Sequence, residues 1–179
     1  MLNKGAEMSN RDNVKLSTRL KWFKWLPLIV LLDQASKLLV MQNLKLGDAI
    51  DIIPGLRLVL LHNYGVAFGM FNENALVSRL ILLAVAVGIS LFIGIWLYRT
   101  TVQEKAQGIG LVFILGGALG NIIDRVVQGY VVDFIDFYFK SWHFPAFNIA
   151  DSFITIGAFF IILSIFKDEQ QSKNDKASS

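Results

Sequence analysis

Apolar residues along the chain are concentrated in four long runs, which are separated by polar segments with turn signals. The runs cover residues 22–41, 76–98, 109–123 and 147–166. Each is long enough, or nearly so, to cross a hydrocarbon layer about 30 Å thick as an α-helix. The third run is short and rich in glycine, so we expect it to sit askew or to end within the headgroup region. The pattern predicts an all-α membrane fold, a bundle of four transmembrane helices.

The connection between the first two runs has a pattern typical of β-strands. In "IDIIPGLRLVLL" the turn-forming pair Pro54 and Gly55 separates two stretches rich in Ile, Leu and Val. We expect this outer loop, residues 42–75, to form a small β-sheet that lies at the outer membrane surface. The loop at residues 124–146 and its border carry aromatic residues that suit a headgroup belt, namely Tyr138, Phe139, Trp142, Phe144 and Phe147.

The distribution of basic residues predicts the orientation. Lys and Arg are concentrated before the first run, between the second and third runs, and after the fourth. Because cytoplasmic segments carry an excess of these residues, both termini are predicted to be cytoplasmic and the loops 42–75 and 124–146 to face outward. Residues 22–166 then form one membrane domain between a cytoplasmic N-terminal extension, residues 1–21, and a disordered cytoplasmic tail, residues 167–179.

The first run is predicted to be a retained helix and not a cleaved signal peptide. Its apolar core is interrupted by Asp33 and Lys37, and no small-residue cleavage site follows it. The spacing of these two residues, i and i+4, predicts an ion pair along the helix.

Composition supports the membrane class and excludes several others. The chain has 179 residues, of which 54% are hydrophobic and only 17% charged, and its mean hydropathy is +0.52. The net charge of +3 is small, and no basic patch is interleaved with aromatic residues, so a nucleic acid is not expected as a partner. The absence of cysteine excludes disulfides, thiolate metal ligands and thiol nucleophiles.

Two polar residues at the start of the fourth run, in "FNIADS", require an explanation. Asn148 is suited to cap the helix, with Asp151 at its third position, as in a capping box. In the alternative interpretation, Asn148, Asp151, Ser152 and Thr155 form a polar stripe that faces a bundle interior or a wet cavity. Both interpretations are open at this point.

A second carboxylate lies in "VVDF", where apolar neighbours draw Asp133 toward the membrane surface. The run of chain places it close to Asp151, whereas Asp136 is interpreted as a solvated loop acid. Two carboxylates that share a site do not both ionise easily, so their apparent pKa values separate. The charged member can take a proton from water while the protonated member polarises a peptide carbonyl, which is aspartic-protease chemistry.

The third run contains a further polar group in "GGALGNIIDR". Gly117, Asn121 and Asp124 follow one another at i, i+4 and i+7, and Arg125 is expected at the outer headgroup level, where it could bind a phosphate or a peptide carbonyl. The structural alternative is that these residues lock the third and fourth helices together. Asn63, in "HNYG", is interpreted either as a turn residue or as an amide that holds an extended peptide backbone.

Five motifs occur in order: "LDQASK", "NYGVAFG", "GGALGNIIDR", "VVDF" and "FNIADS". Together, over residues 25–165, they closely resemble the lipoprotein signal peptidases, also called signal peptidase II, of bacterial inner membranes. The resemblance implies a four-helix membrane aspartic endopeptidase with an outward-facing β-cradle and no cofactor or metal. It also implies cleavage of prolipoproteins just before a diacylglyceryl-modified cysteine, with membrane lipids and peptide-mimicking inhibitors as further partners.

The resemblance also implies roles for individual residues. Asp133 and Asp151 match the two catalytic positions. Residues that match substrate-binding positions are Asn63, Asn121, Arg125 and Asn148, and those that match supporting positions are Asp33, Lys37, Asp124 and Gly117. The active site would then lie near the outer, periplasmic face of a multi-pass inner-membrane protein.

Three other functions remain as alternatives. A proton-coupled carrier could use the intramembrane aspartates as a relay, although four runs without an internal repeat argue against it. A protein that binds lipoprotein precursors without cleaving them is the second. Serine or metal hydrolysis is the third, but Ser152 lacks an evident base, and His62 and His143 have no metalloprotease motif around them.

Overall fold

The structure, a computed structural model, describes residues 20–65, 75–102 and 104–177. Four α-helices lie within these ranges: α1 (Leu26–Asn43), α2 (Ala75–Arg99), α3 (Lys105–Val127) and α4 (Ile149–Ala177). A short 3₁₀ turn, Phe23–Trp25, precedes α1. Most of the N-terminal extension and the "VAFG" part of the second motif lie outside the described residues.

Among the described helices, three are long and apolar enough to cross a membrane: α2 over Leu76–Arg99, α3 over Lys105–Val127 and α4 over Ile149–Lys167. The fourth, α1, has 18 residues, and Asp33, Gln34 and Lys37 interrupt its apolar sequence. The four predicted helices are therefore present, with one shorter than the others, and the long apolar helices fit a membrane protein.

Two predicted boundaries are corrected. α3 has 23 residues and is not the short helix expected over 109–123. Its glycines do not end the helix, because they face neighbouring helices at close range. α4 continues to Ala177, although a disordered tail was predicted from residue 167. No Gly or Pro interrupts the sequence between Lys167 and Ala177, so nothing in it stops the helix.

α3 lies at the centre of the bundle and has two glycine faces. A Cβ at Gly116 would lie 2.6 Å from Ile29 of α1, and one at Gly120 would overlap the carboxylate of Asp33. On another face, a Cβ at Gly110 would lie 2.7 Å from the carbonyl oxygen of Gly157 in α4. Only glycine permits helices to approach this closely, so α1 and α4 pack tightly on either side of α3.

The predicted small sheet is present and draws on both outer loops. Its strands are β1 (Ala49–Ile53), β2 (Leu56–Asn63), β3 (Val131–Phe139) and β4 (Trp142–His143), each antiparallel to the next. The first two are joined at the predicted turn, where Gly55 has a φ of +90°. β3 was not predicted from the sequence. It pairs with β2 so that Asn63 lies opposite Val131, and Leu61 opposite Asp133.

Two apolar clusters hold the sheet and the bundle in place. One joins α1, α2 and α3 through Ile29, Ile93, Leu97, Leu111, Val112 and Leu115. The other packs the sheet on the end of α1 through Val40, Leu60, Val132 and Phe134. The second cluster brings β3 to the point where α3 ends and α4 begins.

Candidate active site

The first turn of α4 is closed by two reciprocal hydrogen bonds. The backbone N–H of Asp151 donates to Asn148 Oδ1 at 3.0 Å, and the backbone N–H of Asn148 donates to Asp151 Oδ2 at 3.2 Å. This is a capping box, so the structural interpretation of "FNIADS" is confirmed. The other oxygen of Asp151 accepts a hydrogen bond from Asn121 Nδ2 of α3 at 2.8 Å. One carboxylate thus serves both the helix start and the junction of α3 with α4.

Asp133 lies on β3 and is 3% exposed. Two side-chain amides donate to it, Asn148 Nδ2 to Oδ1 and Asn63 Nδ2 to Oδ2, both at 2.8 Å. Asn63 is in reach because β2 and β3 are paired at their ends. Neutral amides therefore hold both oxygens of this carboxylate, and no cation is within ion-pair distance among the described residues.

Asn148 joins the two carboxylates. Its side-chain amide bonds Asp133 while its backbone N–H bonds Asp151, so a single fully buried residue separates the two acids. Burial raises the pKa of Asp133 to about 6, and the negative charge of Asp151 acts in the same direction. The hydrogen bonds from Asn63 and Asn148 oppose this rise in the pKa but do not cancel it.

A second group of buried charges lies beside this site and consists of two carboxylates that share one ammonium. Lys37 Nζ lies 2.8 Å from Asp33 Oδ2 on its own helix and 2.8 Å from Asp124 Oδ2 on α3. All three side chains are at most 1% exposed. The predicted pair of Asp33 with Lys37 is therefore confirmed, and Asp124 makes it a triad.

The triad also binds backbone groups at the site. Asp33 Oδ1 accepts from the backbone N–H of Ala150 at 2.9 Å, and Asp124 Oδ2 accepts from that of Val132 at 3.1 Å. Val132 precedes Asp133 and Ala150 precedes Asp151. The two buried acids of the triad thus fix the chain immediately before each acid of the site.

Asn121 connects the two groups and has its amide orientation set by Lys37. Lys37 Nζ donates to Asn121 Oδ1 at 3.0 Å, which leaves the amide nitrogen to face Asp151. Gly117, one turn earlier on α3, faces the carbonyl oxygen of Ala150, where a Cβ would overlap. This close approach brings Asn121 within hydrogen-bond distance of α4.

Arg125 lies at the edge of the site. Its Nη1 donates to the backbone carbonyl of Asn121 at 3.1 Å, and it forms no ion pair with a described carboxylate. The side chain is half-buried, so the rest of the guanidinium can contact a bound molecule.

A cavity of about 450 Å³ opens beside Asp151. Its lining is Phe144, Pro145, Ala146, Phe147, Asp151, Ser152, Thr155 and Ile156. The hydroxyls of Ser152 and Thr155 donate to backbone carbonyls one turn earlier, at 3.0 and 2.8 Å. Three residues of the predicted polar stripe on α4, Asp151, Ser152 and Thr155, therefore line the cavity, and Asp151 is the charged one among them.

These contacts bear on two predictions about single residues. Asp136 is 4% exposed and pairs with Arg57 at 2.6 Å, so it is not a solvated loop acid. The register places Arg57 directly opposite it across β2 and β3. Of the two interpretations of Asn63, the turn is confirmed, because its side-chain oxygen accepts from the backbone N–H of Gly65 at 2.8 Å. The amide nitrogen, which in the alternative would hold a peptide, donates to Asp133.

One residue of the network was not predicted. Gln34 Nε2 donates to Asp124 Oδ1 at 2.9 Å and lies 3.2 Å from the carbonyl oxygen of Gly120, so it links α1 with α3. An uncharged amide in an apolar run, between Asp33 and Lys37, was the available signal. Within the described ranges, no group of three or more His, Asp or Glu side chains is placed to hold a metal ion.

Comparisons with known proteins agree with the resemblance in the motifs. The family model described as "Signal peptidase (SPase) II" matches residues 26–167. Proteins named lipoprotein signal peptidase from Escherichia coli O1:K1 and from Shigella boydii serotype 18 are each 41% identical over 158 residues. That alignment covers 88% of this chain and 96% of each relative.

Solved structures with the same fold are also found. A bacterial membrane enzyme solved by the in meso method at 2.3 Å resolution superposes with a TM-score of 0.71 at 30% identity, over 84% of this chain and 90% of that one. A second such structure, at 1.9 Å resolution, gives a TM-score of 0.72 at 31% identity, over 82% and 93% of the two chains.

Proposed function

This chain belongs to the signal peptidase II family and is a peptidase, and we propose that it removes signal peptides from prolipoproteins by means of a two-aspartate site. The bond cleaved is the one just before the diacylglyceryl-modified cysteine. The relatives from Escherichia coli and Shigella boydii are named for the same activity. The observation that carries the mechanism is that Asp133 and Asp151 share Asn148 and have no cation between them.

In the proposed mechanism the two acids divide the proton work. Asp133 is the more buried, and its raised pKa makes it easier to protonate than an ordinary aspartate, so we assign it as the donor to the carbonyl oxygen of the scissile peptide. Asp151 takes a proton from the attacking water, whose oxygen bonds the carbonyl carbon. The proton then passes to the leaving amine as the peptide bond breaks. Acid–base help of this kind contributes typically about 10²–10⁴-fold.

The surrounding amides and Arg125 position the reacting groups. Asn63, Asn121 and Asn148 hold the two carboxylates in place, and the free side of the Arg125 guanidinium binds a backbone carbonyl of the substrate. The triad of Asp33, Lys37 and Asp124 supports this arrangement from below, and Gly117 gives the helices room to close around it.

We place the protein in the bacterial inner membrane with four spans. α1 is the fourth, because its charges compensate each other inside the bundle and leave an apolar outer surface. The positive-inside rule then puts both termini in the cytoplasm and the sheet at the outer face. Residues 22–166 act as one peptidase domain. The prolipoprotein would keep its acyl chains in the lipid, and peptide-mimicking inhibitors would occupy the same site.

The test is cleavage by the purified protein in detergent. A precursor with the diacylglyceryl group and the same precursor without it are incubated with wild type, with Asp133→Asn, with Asp151→Asn and with Asp48→Asn. Asp48 is an exposed aspartate away from the site and serves as the matched control. Products are identified by mass spectrometry.

Wild type and Asp48→Asn should release the signal peptide from the lipidated precursor only. Either site variant should lose at least about 10²–10⁴-fold in rate. A normal rate in either site variant would refute the two-aspartate mechanism. Binding of the precursor by wild type without release of a peptide would favour a non-catalytic binding protein.

A further inference from the structure

The turn after β2, residues 63–65, carries Asn63 and is held by helix α2. Asn63 Oδ1 accepts from the backbone N–H of Gly65, which has a φ of +74°. A Cβ at Gly65 would lie 2.6 Å from Leu82 Cδ1, so this glycine is in close contact with α2. The bonded turn leaves the amide nitrogen of Asn63 free to donate to Asp133.

Tyr64, the middle residue of the turn, contacts the positively charged guanidinium of Arg79. The guanidinium carbon of Arg79 lies 4.7 Å from the centre of the Tyr64 ring, in the range of a cation–π contact. Arg79 and Leu82 are three positions apart, so they lie on one face of α2. That face therefore contacts two consecutive residues of the turn.

Aromatic rings extend this contact to both strands that carry the site. The ring of Tyr64 meets that of Tyr130 edge-on, with centroids 5.5 Å apart. Tyr130 in turn stacks on His62 at 3.8 Å. His62 and Tyr64 flank Asn63 in the sequence, and Tyr130 directly precedes β3. The three rings thus pack against each other on both sides of Asn63.

Arg79 has no competing partner among the described residues. Its Nε is buried without a hydrogen-bond acceptor, and no described carboxylate pairs with it. A Cβ at Gly129 would lie 3.2 Å from Arg79 Nη1, so the turn before β3 leaves room for the guanidinium. Arg79 is partly buried, and the favourable contact that its guanidinium makes among the described residues is with the ring of Tyr64.

We propose that Arg79 and Tyr64 are positioning residues for the proposed peptidase reaction: their contact ties α2 to the turn that holds Asn63 against Asp133. This inference rests on the proposed function, because it assumes that Asp133 reacts. Neither residue touches the substrate. They act by fixing the amide of Asn63, which orients the carboxylate of Asp133. The reactivity of Asp133 then depends on the position of α2.

The test compares Tyr64→Leu, which removes the aromatic ring, with Tyr64→Phe, which keeps it. We expect Tyr64→Leu to lower kcat by about three- to fivefold with little change in KM, since one partly exposed cation–π contact is lost. Tyr64→Phe should stay within about twofold of wild type, because the ring face is intact. Phe139→Leu is the matched control: it removes another ring that faces a cation, Lys140 at 5.6 Å, on the same sheet but away from Asn63.

A pH profile separates positioning from a general loss of structure. Since the bond from Asn63 lowers the pKa of Asp133, loosening that bond should move the alkaline limb of kcat/KM to higher pH. Asn63→Ala should move it the same way, and Tyr64→Leu should have no further effect in that background. Arg79→Leu should reproduce Tyr64→Leu, and it provides the same measurement if Tyr64→Leu does not fold.

Three results would overturn the proposal: a wild-type rate for Tyr64→Leu, effects of Tyr64→Leu and Asn63→Ala that simply multiply, or a rate loss that is equal at every pH. Asp133→Asn distinguishes this failure from failure of the proposed function. If Asp133→Asn is inactive while Tyr64→Leu behaves as wild type, only the role of the Arg79–Tyr64 contact is refuted.

Discussion

Two pairs of aspartates lie side by side in this protein and differ in what lies between them. Asp33 and Asp124 share the ammonium of Lys37, which lies 2.8 Å from each. Asp133 and Asp151 share only Asn148, a neutral amide. In the first pair both carboxylates are buried and share one cation in direct contact, which compensates part of their negative charge. In the second pair no described cation forms an ion pair with either acid, and Arg125 and Lys37 act on Asp133 only from a distance, so the pKa of Asp133 is raised.

The comparison indicates that burial alone does not distinguish the proposed catalytic acids from the other two. Asp33 and Asp124 are more deeply buried than Asp133, yet each makes several hydrogen bonds to fixed groups. Asp33 and Asp124 fix the backbone just before each acid of the second pair. Lys37 also sets the amide of Asn121 toward Asp151. Asp33, Asp124 and Lys37 therefore help to position Asp133 and Asp151.

The largest expected effect comes from removing the cation. Lys37→Met leaves two buried carboxylates without a counter-charge, and such a change costs typically about 3–5 kcal/mol of stability. Thermal unfolding in detergent should show this loss. Adding Asp33→Asn and Asp124→Asn to the variant should recover part of it, because the uncompensated charges are then absent. A variant Lys37→Met that unfolds at the wild-type temperature would show that this lysine does not stabilise the two buried carboxylates.

A somewhat smaller effect should appear in the pH dependence of stability. The pKa of Asp133 is raised from its ordinary value of 3.8 to about 6, so its favourable contribution is complete below pH 3.8 and is lost as the pH rises through about 6. A rise of this size corresponds to about 3 kcal/mol. The stability of Asp133→Asn relative to wild type should therefore increase between pH 4 and pH 8, as measured by thermal unfolding. A difference that does not change with pH, or that changes in the opposite direction, would contradict the raised pKa.

The smallest effect concerns the close contact between Gly120 of α3 and the carboxylate of Asp33. Gly120→Ala would place a methyl group on the carboxylate of Asp33, and such overpacking costs typically about 1–3 kcal/mol. Gly88→Ala is the control within a helix, since no atom lies within 4 Å of its added Cβ, and it should be neutral or slightly stabilising. Equal unfolding temperatures for the two variants would argue against close packing of α1 on α3.

The parts of this arrangement that depend on near neighbours could be predicted from the sequence. The apolar runs indicate the helices, the spacing of Asp33 and Lys37 indicates their ion pair, and Asn148 with Asp151 indicates a capping box. Each rests on residues within one or two turns, where helix geometry alone fixes the distances. The course of the chain predicted that Asp133 and Asp151 lie close together, and the five motifs added their match to catalytic positions.

The remainder depends on contacts between distant segments. β3 was missed because its pairing with β2 joins residues about 70 positions apart, and its run of apolar residues with two aspartates lacks a regular alternation. The burial of Asp136 follows from that pairing, since Arg57 lies opposite it. The length of α3 was underestimated because glycine weakens an isolated helix but favours one that packs against two neighbours.

The most direct measurement replaces each of the four aspartates by asparagine and records both cleavage of a lipidated precursor and thermal unfolding. Asp133→Asn and Asp151→Asn should lose cleavage and remain within about 1 kcal/mol of wild-type stability at pH 6, near the raised pKa. Asp33→Asn and Asp124→Asn each leave Lys37 paired with one carboxylate, so each should lose only the buried hydrogen bonds of the replaced acid, about 1–3 kcal/mol of stability. Cleavage by Asp133→Asn or Asp151→Asn at the wild-type rate, or the same pattern in all four variants, would contradict the division between the pair that shares a cation and the pair that shares an amide.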